Sequence, residues 1–228
     1  MGAGGELVRM SEQPFESEAD LEAILAEHPE LITDDLREGD AAPRWLLVSR
    51  QARVDSANWT NRWAVDILFL DEKAVPTLAE VKRGTNTSLR RGAVAQILDY
   101  AANAVLYWSA ETLRARFVAT WEERGRDPDT VLGEFLAGAE ELDVFWRRAD
   151  ANLQAGRIRL VFAADEVPVE LQRIVEFLRR QMQAASVFAV EVKRFEAAAH
   201  SSSVRPLARQ TALRGRRHRA ARAARRPR

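Results

Sequence analysis

No cysteine occurs anywhere in the 228 residues, which rules out disulfides, zinc–thiolate centres and thiol nucleophiles. Histidine is scarce: His28, His200 and His218 show no metal-ligand spacing. There is no Gly-rich phosphate loop and no Ser-His-Asp arrangement, so neither P-loop nor serine-hydrolase chemistry has a foothold. No apolar run approaches the roughly 20 residues that span a bilayer. The opening MGAGGELVRM also lacks the apolar stretch of a secretory signal. A cytoplasmic protein with no membrane partner is therefore expected.

Lysine is the least expected shortage. Only Lys73, Lys82 and Lys193 occur, against 31 arginines. Where a plain positive charge is wanted, the chain uses arginine, so each lysine raises the question of whether a compact ammonium is needed there. Net charge is zero, but unevenly spread. From Arg205 to Arg228 there are ten arginines and no acid, leaving 24 basic against 34 acidic residues before Arg205, a net of −10. The residues 198–228 read as an Arg-rich tail, disordered in isolation, that adds sequence-independent affinity for a polyanion.

The remaining text is ordinary globular sequence, with 46% hydrophobic and 30% charged residues. Ser17 with Asp20 resembles a capping box, and Leu21, Ile24, Leu25 and His28 follow at helical spacing, so a helix is expected over 17–28. Strands are expected over 45–54, 64–70 and 75–82. Thr85, Asn86 and Thr87 offer N-caps to a helix reaching Tyr107. A helical insert covers 108–155, broken near Gly125–Asp129 and Gly138. A strand (157–164), a helix (168–183) and a strand (187–195) return. This order implies an α/β fold, a mixed central sheet flanked by helices, as one domain over 1–197. Oligomeric state is left open, a homodimer included.

One strand carries an anomaly. AVDILFL (64–70) is apolar on both faces except for Asp66, where an unpaired charge is costly. The next strand carries Leu78, Glu80 and Lys82 on one face, because residues two apart in a strand point the same way. If Asp71 pairs with Val75 around a three-residue turn, paired positions sum to 146 and Asp66 faces Glu80. Directly paired residues lie about 4.5–5.5 Å apart, so the two carboxylates repel unless a cation intervenes or one is protonated. Oxygen ligands favour a hard ion, Mg²⁺ or Mn²⁺. Lys82 is then placed to orient an attacking water and stabilise a phosphoryl charge. Isolated E-x-K pairs usually form a solvated strand face; the lone Asp66 is what separates this one from them. On the following helix, Ala93, Gln96, Ile97, Tyr100 and Ala104 share the stripe that would pack on the sheet.

Asp66, then Glu80-Val81-Lys82, then Gln96-Ile97-Leu98-Asp99-Tyr100 resembles the PD-(D/E)xK nuclease superfamily, including its Q-x-x-x-Y branch. Val65 stands where the name-giving proline would be. The motif-bearing match covers 17–107. The stretch 108–197, with NLQAGRIRLVFAADEVP, is similar to uncharacterised bacterial members of this group and says little about substrate. The resemblance implies a restriction-endonuclease-like core, metal-dependent hydrolysis of nucleic acid, with DNA favoured, Asp66 and Glu80 as metal ligands, and Lys82 as the catalytic lysine. Gln96 and Tyr100 become accessory site residues. The family's first helix supplies a further acid; Glu18 is favoured over Glu22 as nearer the buried face. Arg62, Arg90 and Arg91, with Trp59 and Trp63, are candidate nucleic-acid contacts. A second E-V-K, Glu191-Val192-Lys193, reads as a strand face that could line the same cleft. The competing reading is a nucleic-acid-binding module that keeps the fold and does not cleave.

Overall fold

The fold follows from a computed structural model, which describes residues 10–33, 43–54, 63–84, 92–197 and 202–206. Among these, seven strands and six α-helices build an α/β architecture. The strands are β1 (Met10–Gln13), β2 (Trp45–Val54), β3 (Trp63–Asp71), β4 (Pro76–Lys82), β5 (Arg159–Ala164), β6 (Ser186–Ala197) and β7 (Ser202–Pro206). The helices are α1 (Glu18–Glu27), α2 (Gly92–Tyr107), α3 (Ala110–Glu123), α4 (Pro128–Leu136), α5 (Leu142–Gln154) and α6 (Val169–Gln181). A short 3-10 turn, Pro29–Ile32, follows α1.

The sheet runs β1-β6-β5-β4-β3-β2, with β7 also paired to β6. β4 pairs antiparallel with β3 and parallel with β5, and β5 pairs parallel with β6, so the sheet is mixed and open. Strand parity divides the core. Leu68, Leu70, Leu78, Leu160 and Phe162 face the layer formed by α2 to α6. Ile67, Phe69, Ala79, Val81 and Val161 face Leu21, Leu25 and Ile32 of α1 and its following turn. Burial on both faces explains why the central strands lack polar alternation. No helix among the described residues is long and apolar enough to cross a membrane.

Local chemistry sets the ends of the elements. Ser17 caps α1, its Oγ accepting from the Asp20 amide at 3.0 Å. Asp71 Oδ1 accepts from the amides of Lys73 and Val75 at 2.9 and 2.8 Å, closing the β3–β4 turn, where Ala74 is left-handed. Helix α3 lies against the outer strand β2: Thr120 Oγ1 donates to the Val48 carbonyl and Trp121 Nε1 to that of Leu47. At that point β2 carries a bulge, since the register shifts between Leu47 and Ser49.

Two expectations are corrected and one strand is added. The buried stripe of α1 is Leu21, Glu22, Leu25 and Ala26, with Ile24 partly buried against the same cluster, and His28 is exposed rather than part of it. The helix is rotated toward Glu22, so Glu22 and not Glu18 lies on the buried face. The segment assigned wholly to a tail contains β7, whose backbone pairs with β6 from Glu196↔Ser202 to Val192↔Pro206. Its proline falls at the strand end, where a missing amide is tolerated. Finally, β1 had no sequence reading at all; it pairs with the end of β6. The proposed caps Thr85, Asn86 and Thr87 lie outside the described residues, as does the chain after Pro206.

Candidate active site

The β3–β4 hairpin holds the expected register. Ile67↔Ala79, Leu68↔Leu78, Phe69↔Thr77 and Leu70↔Pro76 pair in turn, and one further step sets Asp66 against Glu80. There the backbone ladder gives way to a side chain: the Val81 amide donates to Asp66 Oδ2 at 2.8 Å. Asp66, Glu80 and Lys82 share the sheet face that carries Leu68 and Leu78, beneath α2.

Glu80 is the most constrained group of the set. Its side chain is 0% exposed, and Lys82 Nζ stands 2.6 Å from Oε1. Its Oε2 has no hydrogen-bond partner among the described residues. A buried carboxylate oxygen in that condition is costly. Accordingly the Glu80 carboxyl is raised to about 7, first by burial and then by the neighbouring Asp66 charge, against the opposing pull of Lys82.

Lys82 is hemmed in by acids. Its ammonium lies 3.7 Å from Asp66 Oδ2 and 3.8 Å from Glu18 Oε2, and it donates to the Val81 carbonyl at 3.1 Å. Burial alone would lower its pKa. The charges of Glu80, Asp66 and Glu18 outweigh that and raise it, so the ammonium stays charged at neutral pH.

The helix above completes the group. Tyr100 is buried on α2, and Gln96 Nε2 donates to its hydroxyl. The phenol is raised by burial, and by Glu80 and Asp66 against the Gln96 hydrogen bond, so it remains protonated. The structure thus brings Gln96 and Tyr100 together with the three hairpin residues. The two first-helix acids take different places. Glu18, with 38% of its side chain exposed, reaches Lys82 and accepts from the Arg83 amide at 3.3 Å. Glu22 is buried and accepts from Arg50 Nε at 3.0 Å and Gln51 Nε2 at 2.9 Å. Among the described residues, no three acidic or histidine side chains group as a ligand set for a metal ion.

Gln51 was not singled out from the sequence. Its backbone is left-handed (φ 49°), and its amide reaches both Glu22 and, at 3.3 Å, Asp66 Oδ1. The β2–β3 register places it opposite Asp66, but only once the bulge at Val48 is counted. No pattern in the sequence announces that bulge.

The second E-V-K sits two strands away at the same end of the sheet. Glu191 Oε2 accepts from the Val167 amide at 3.1 Å, and Lys193 pairs with Glu12 at 2.8 Å and Glu191 at 3.7 Å. Between the two motifs, Asp165 accepts from the Gly84 amide. The loop after β5 packs so closely that a Cβ on Gly84 would meet the Glu166 Cβ at 2.5 Å. The carboxyl ends of β4, β5 and β6 therefore gather on one rim, the usual place for a ligand in an open α/β sheet. Arg62, Arg90, Arg91 and Trp59 lie outside the described residues, as does the side chain of Trp63. No protein-family model, curated protein or solved structure matches this chain.

Proposed function

We propose that this chain is a Mg²⁺- or Mn²⁺-dependent nuclease that hydrolyses phosphodiester bonds of nucleic acid, DNA in the first instance. A cytoplasmic setting, where both nucleic acid and Mg²⁺ are at hand, suits that reading. The observation that carries it is the Glu80 carboxylate, fully buried, facing Asp66, with one oxygen left without a partner. A structural acid at that depth is expected to have both oxygens engaged.

The donor chemistry fits a hard cation. Asp66 and Glu80 would hold it, and Glu18 is the nearest further carboxylate, beside Lys82. Such an ion would supply Lewis-acid charge at a phosphoryl oxygen. The chain's own groups do the remainder. Lys82, held charged by its acids, is an electrostatic partner for developing phosphoryl charge and is too basic to act as a proton acceptor. Gln51 and the Val81 amide fix the orientation of Asp66. Tyr100, kept protonated and hydrogen-bonded to Gln96, presents a hydroxyl to the same face.

A second reading, a binder that does not cleave, draws on a different observation. Both Asp66 oxygens already accept hydrogen bonds, and Lys82 neutralises Glu80 without help. One assay separates the two: single- and double-stranded DNA and RNA incubated with EDTA, Mg²⁺ or Mn²⁺, using the wild-type chain and Glu80→Gln. The enzyme reading expects cleavage that needs the metal and is lost in the variant. Retention of nucleic acid with no cleavage under any metal selects the binder.

A further inference from the structure

We propose that Glu22 acts as a positioning residue through Gln51: the buried acid of α1 locks the Gln51 amide, and that amide holds the Asp66 carboxylate in place for a metal ion. This role rests on the nuclease reading above and gives the first-helix acid a duty other than ligation.

Gln51 Nε2 stands 2.9 Å from Glu22 Oε2 and 3.3 Å from Asp66 Oδ1. Both partners are carboxylates, which only accept, so the amide must present its nitrogen to them with one hydrogen for each. Charge balance does not require this contact, because the other Glu22 oxygen already meets the Arg50 guanidinium at 3.0 Å. Burial does: Glu22 is 6% exposed, and its second oxygen has to find a donor inside the protein. Gln51 is that donor, and its remaining hydrogen is thereby aimed at Asp66 Oδ1. The Val81 amide holds Oδ2 from the other side at 2.8 Å. The Asp66 carboxylate is thus gripped at both oxygens, from β2 and from β4.

The backbone around Gln51 is bent to this end. Its φ of 49° is left-handed, a conformation that suits glycine and is uncommon for glutamine. The β2–β3 ladder pairs Arg50↔Ile67 and Ala52↔Val65 on either side of the Gln51–Asp66 level. The β3–β4 ladder ends at Ile67↔Ala79, one step short of Asp66. Val48 and Ala52, both 0% exposed, anchor the arch that carries Gln51, and α3 holds the carbonyls of Leu47 and Val48. A strained backbone, held by its surroundings at the level of a candidate ligand, points to a side chain placed for function.

Mn²⁺ affinity of the full chain is measured by calorimetry, alongside cleavage of a DNA oligonucleotide and thermal melting in EDTA. Gln51→Gly suits the left-handed backbone and removes only the side chain. It is expected to weaken Mn²⁺ binding roughly tenfold, the scale of one hydrogen bond to a charged group. The maximal cleavage rate should fall with it, while KM for the oligonucleotide stays within about twofold. Gln51→Asn, which also tolerates a left-handed backbone but is too short to bridge, should reproduce both losses. Glu22→Gln, its oxygen kept by Arg50, offers Gln51 an N–H in place of an acceptor and turns that amide over. Alone it should weaken Mn²⁺ binding; added to Gln51→Gly it should cause no further loss. Additive losses would mean that Glu22 acts on the ion directly, and wild-type Mn²⁺ affinity in both Gln51 variants would mean that the amide positions nothing. Either overturns the relay. The contact also has a metal-free readout. In EDTA, Gln51→Gly should be less destabilising in an Asp66→Ala chain than in the wild type, by about 2–4 °C in melting temperature, and equal shifts overturn it. Gln51-dependent Mn²⁺ binding by a chain that never cleaves removes the nuclease reading and keeps the relay. A wild-type chain that takes up no Mn²⁺ removes both.

Discussion

The β3–β4 hairpin has a buried acid at each end, and the two are treated differently. At the turn, Asp71 is 1% exposed and meets Arg159 of β5 at 2.6 Å, while its other oxygen accepts two turn amides. Nearby, Asn152 donates to the carbonyls of Lys73 and Ala74, so the turn is tied to α5 as well as to β5. One acid meets one base, and both carboxylate oxygens are engaged. At the open end, Asp66, Glu80 and Glu18 share a single lysine, and Glu80 keeps an oxygen without a partner. Opposite charges in contact, with both Asp71 oxygens engaged, hold the turn in place. Excess like charge, kept at a cost to the fold, is what the proposed cation site would require.

Breaking the balanced end should have the larger effect. Asp71→Ala removes the Asp71 carboxylate from the buried Arg159 guanidinium and leaves two turn amides unmatched. A loss of about 3–5 kcal/mol in stability is expected, read as the midpoint of urea unfolding. If Asp71→Ala unfolds at the wild-type midpoint, the turn-end pair is not a structural clamp.

Next in size is the proposed active set. Asp66→Ala, Glu80→Ala and Lys82→Ala should each reduce metal-dependent cleavage by at least roughly 100-fold, the scale for removing a transition-state charge partner, while the variants stay folded by circular dichroism. Full cleavage by a folded Glu80→Ala protein would sink the assignment.

The comparison also has a pH signature. Folded Glu80 keeps its proton until about pH 7, whereas an unfolded chain releases it near 4.5. Its contribution to stability is therefore complete below pH 4.5 and is lost as pH rises through 7. Above that, the penalty reaches on the order of 3 kcal/mol. Glu80→Gln cannot ionise, so in EDTA it should outlast the wild type above pH 7 and match it near pH 4. Melting curves at pH 4, 6 and 8 test this, and parallel pH profiles for the two proteins would contradict it. The smallest effect is expected at the second E-V-K, where Glu191→Ala should retain cleavage within about threefold, since its carboxylate serves the Val167 amide. Abolished cleavage in a folded Glu191→Ala chain would extend the active set to β6.

What the sequence disclosed and what it hid divide along the range of the interactions involved. The hairpin register was legible because a three-residue turn and a lone acid in an apolar strand are local signals, and Asp66, Glu80 and Lys82 followed from them. The helical stripe over Ala93, Ile97, Tyr100 and Ala104 was legible for the same reason. Gln51 was hidden behind a bulge. Glu22 was hidden because α1 is rotated by its packing on β3 and β4, and a mean hydrophobic direction cannot resolve positions one residue apart on a helix. β1 and β7 escaped notice because each is four or five residues long and draws its stability from β6, whose residues paired with β1 lie more than 180 positions away. A serine- and arginine-rich composition says nothing about such pairing, since backbone groups make it.

The contact between α3 and β2 has a consequence for the behaviour of the molecule in a crowded solution. An outermost strand normally offers a row of backbone groups on which a second molecule can continue the sheet. Here Thr120 and Trp121 occupy the Val48 and Leu47 carbonyls, and the bulge at Val48 breaks the regular spacing a newcomer would need. The helix thereby serves as a stopper, closing this side of the sheet to edge-on growth of aggregates.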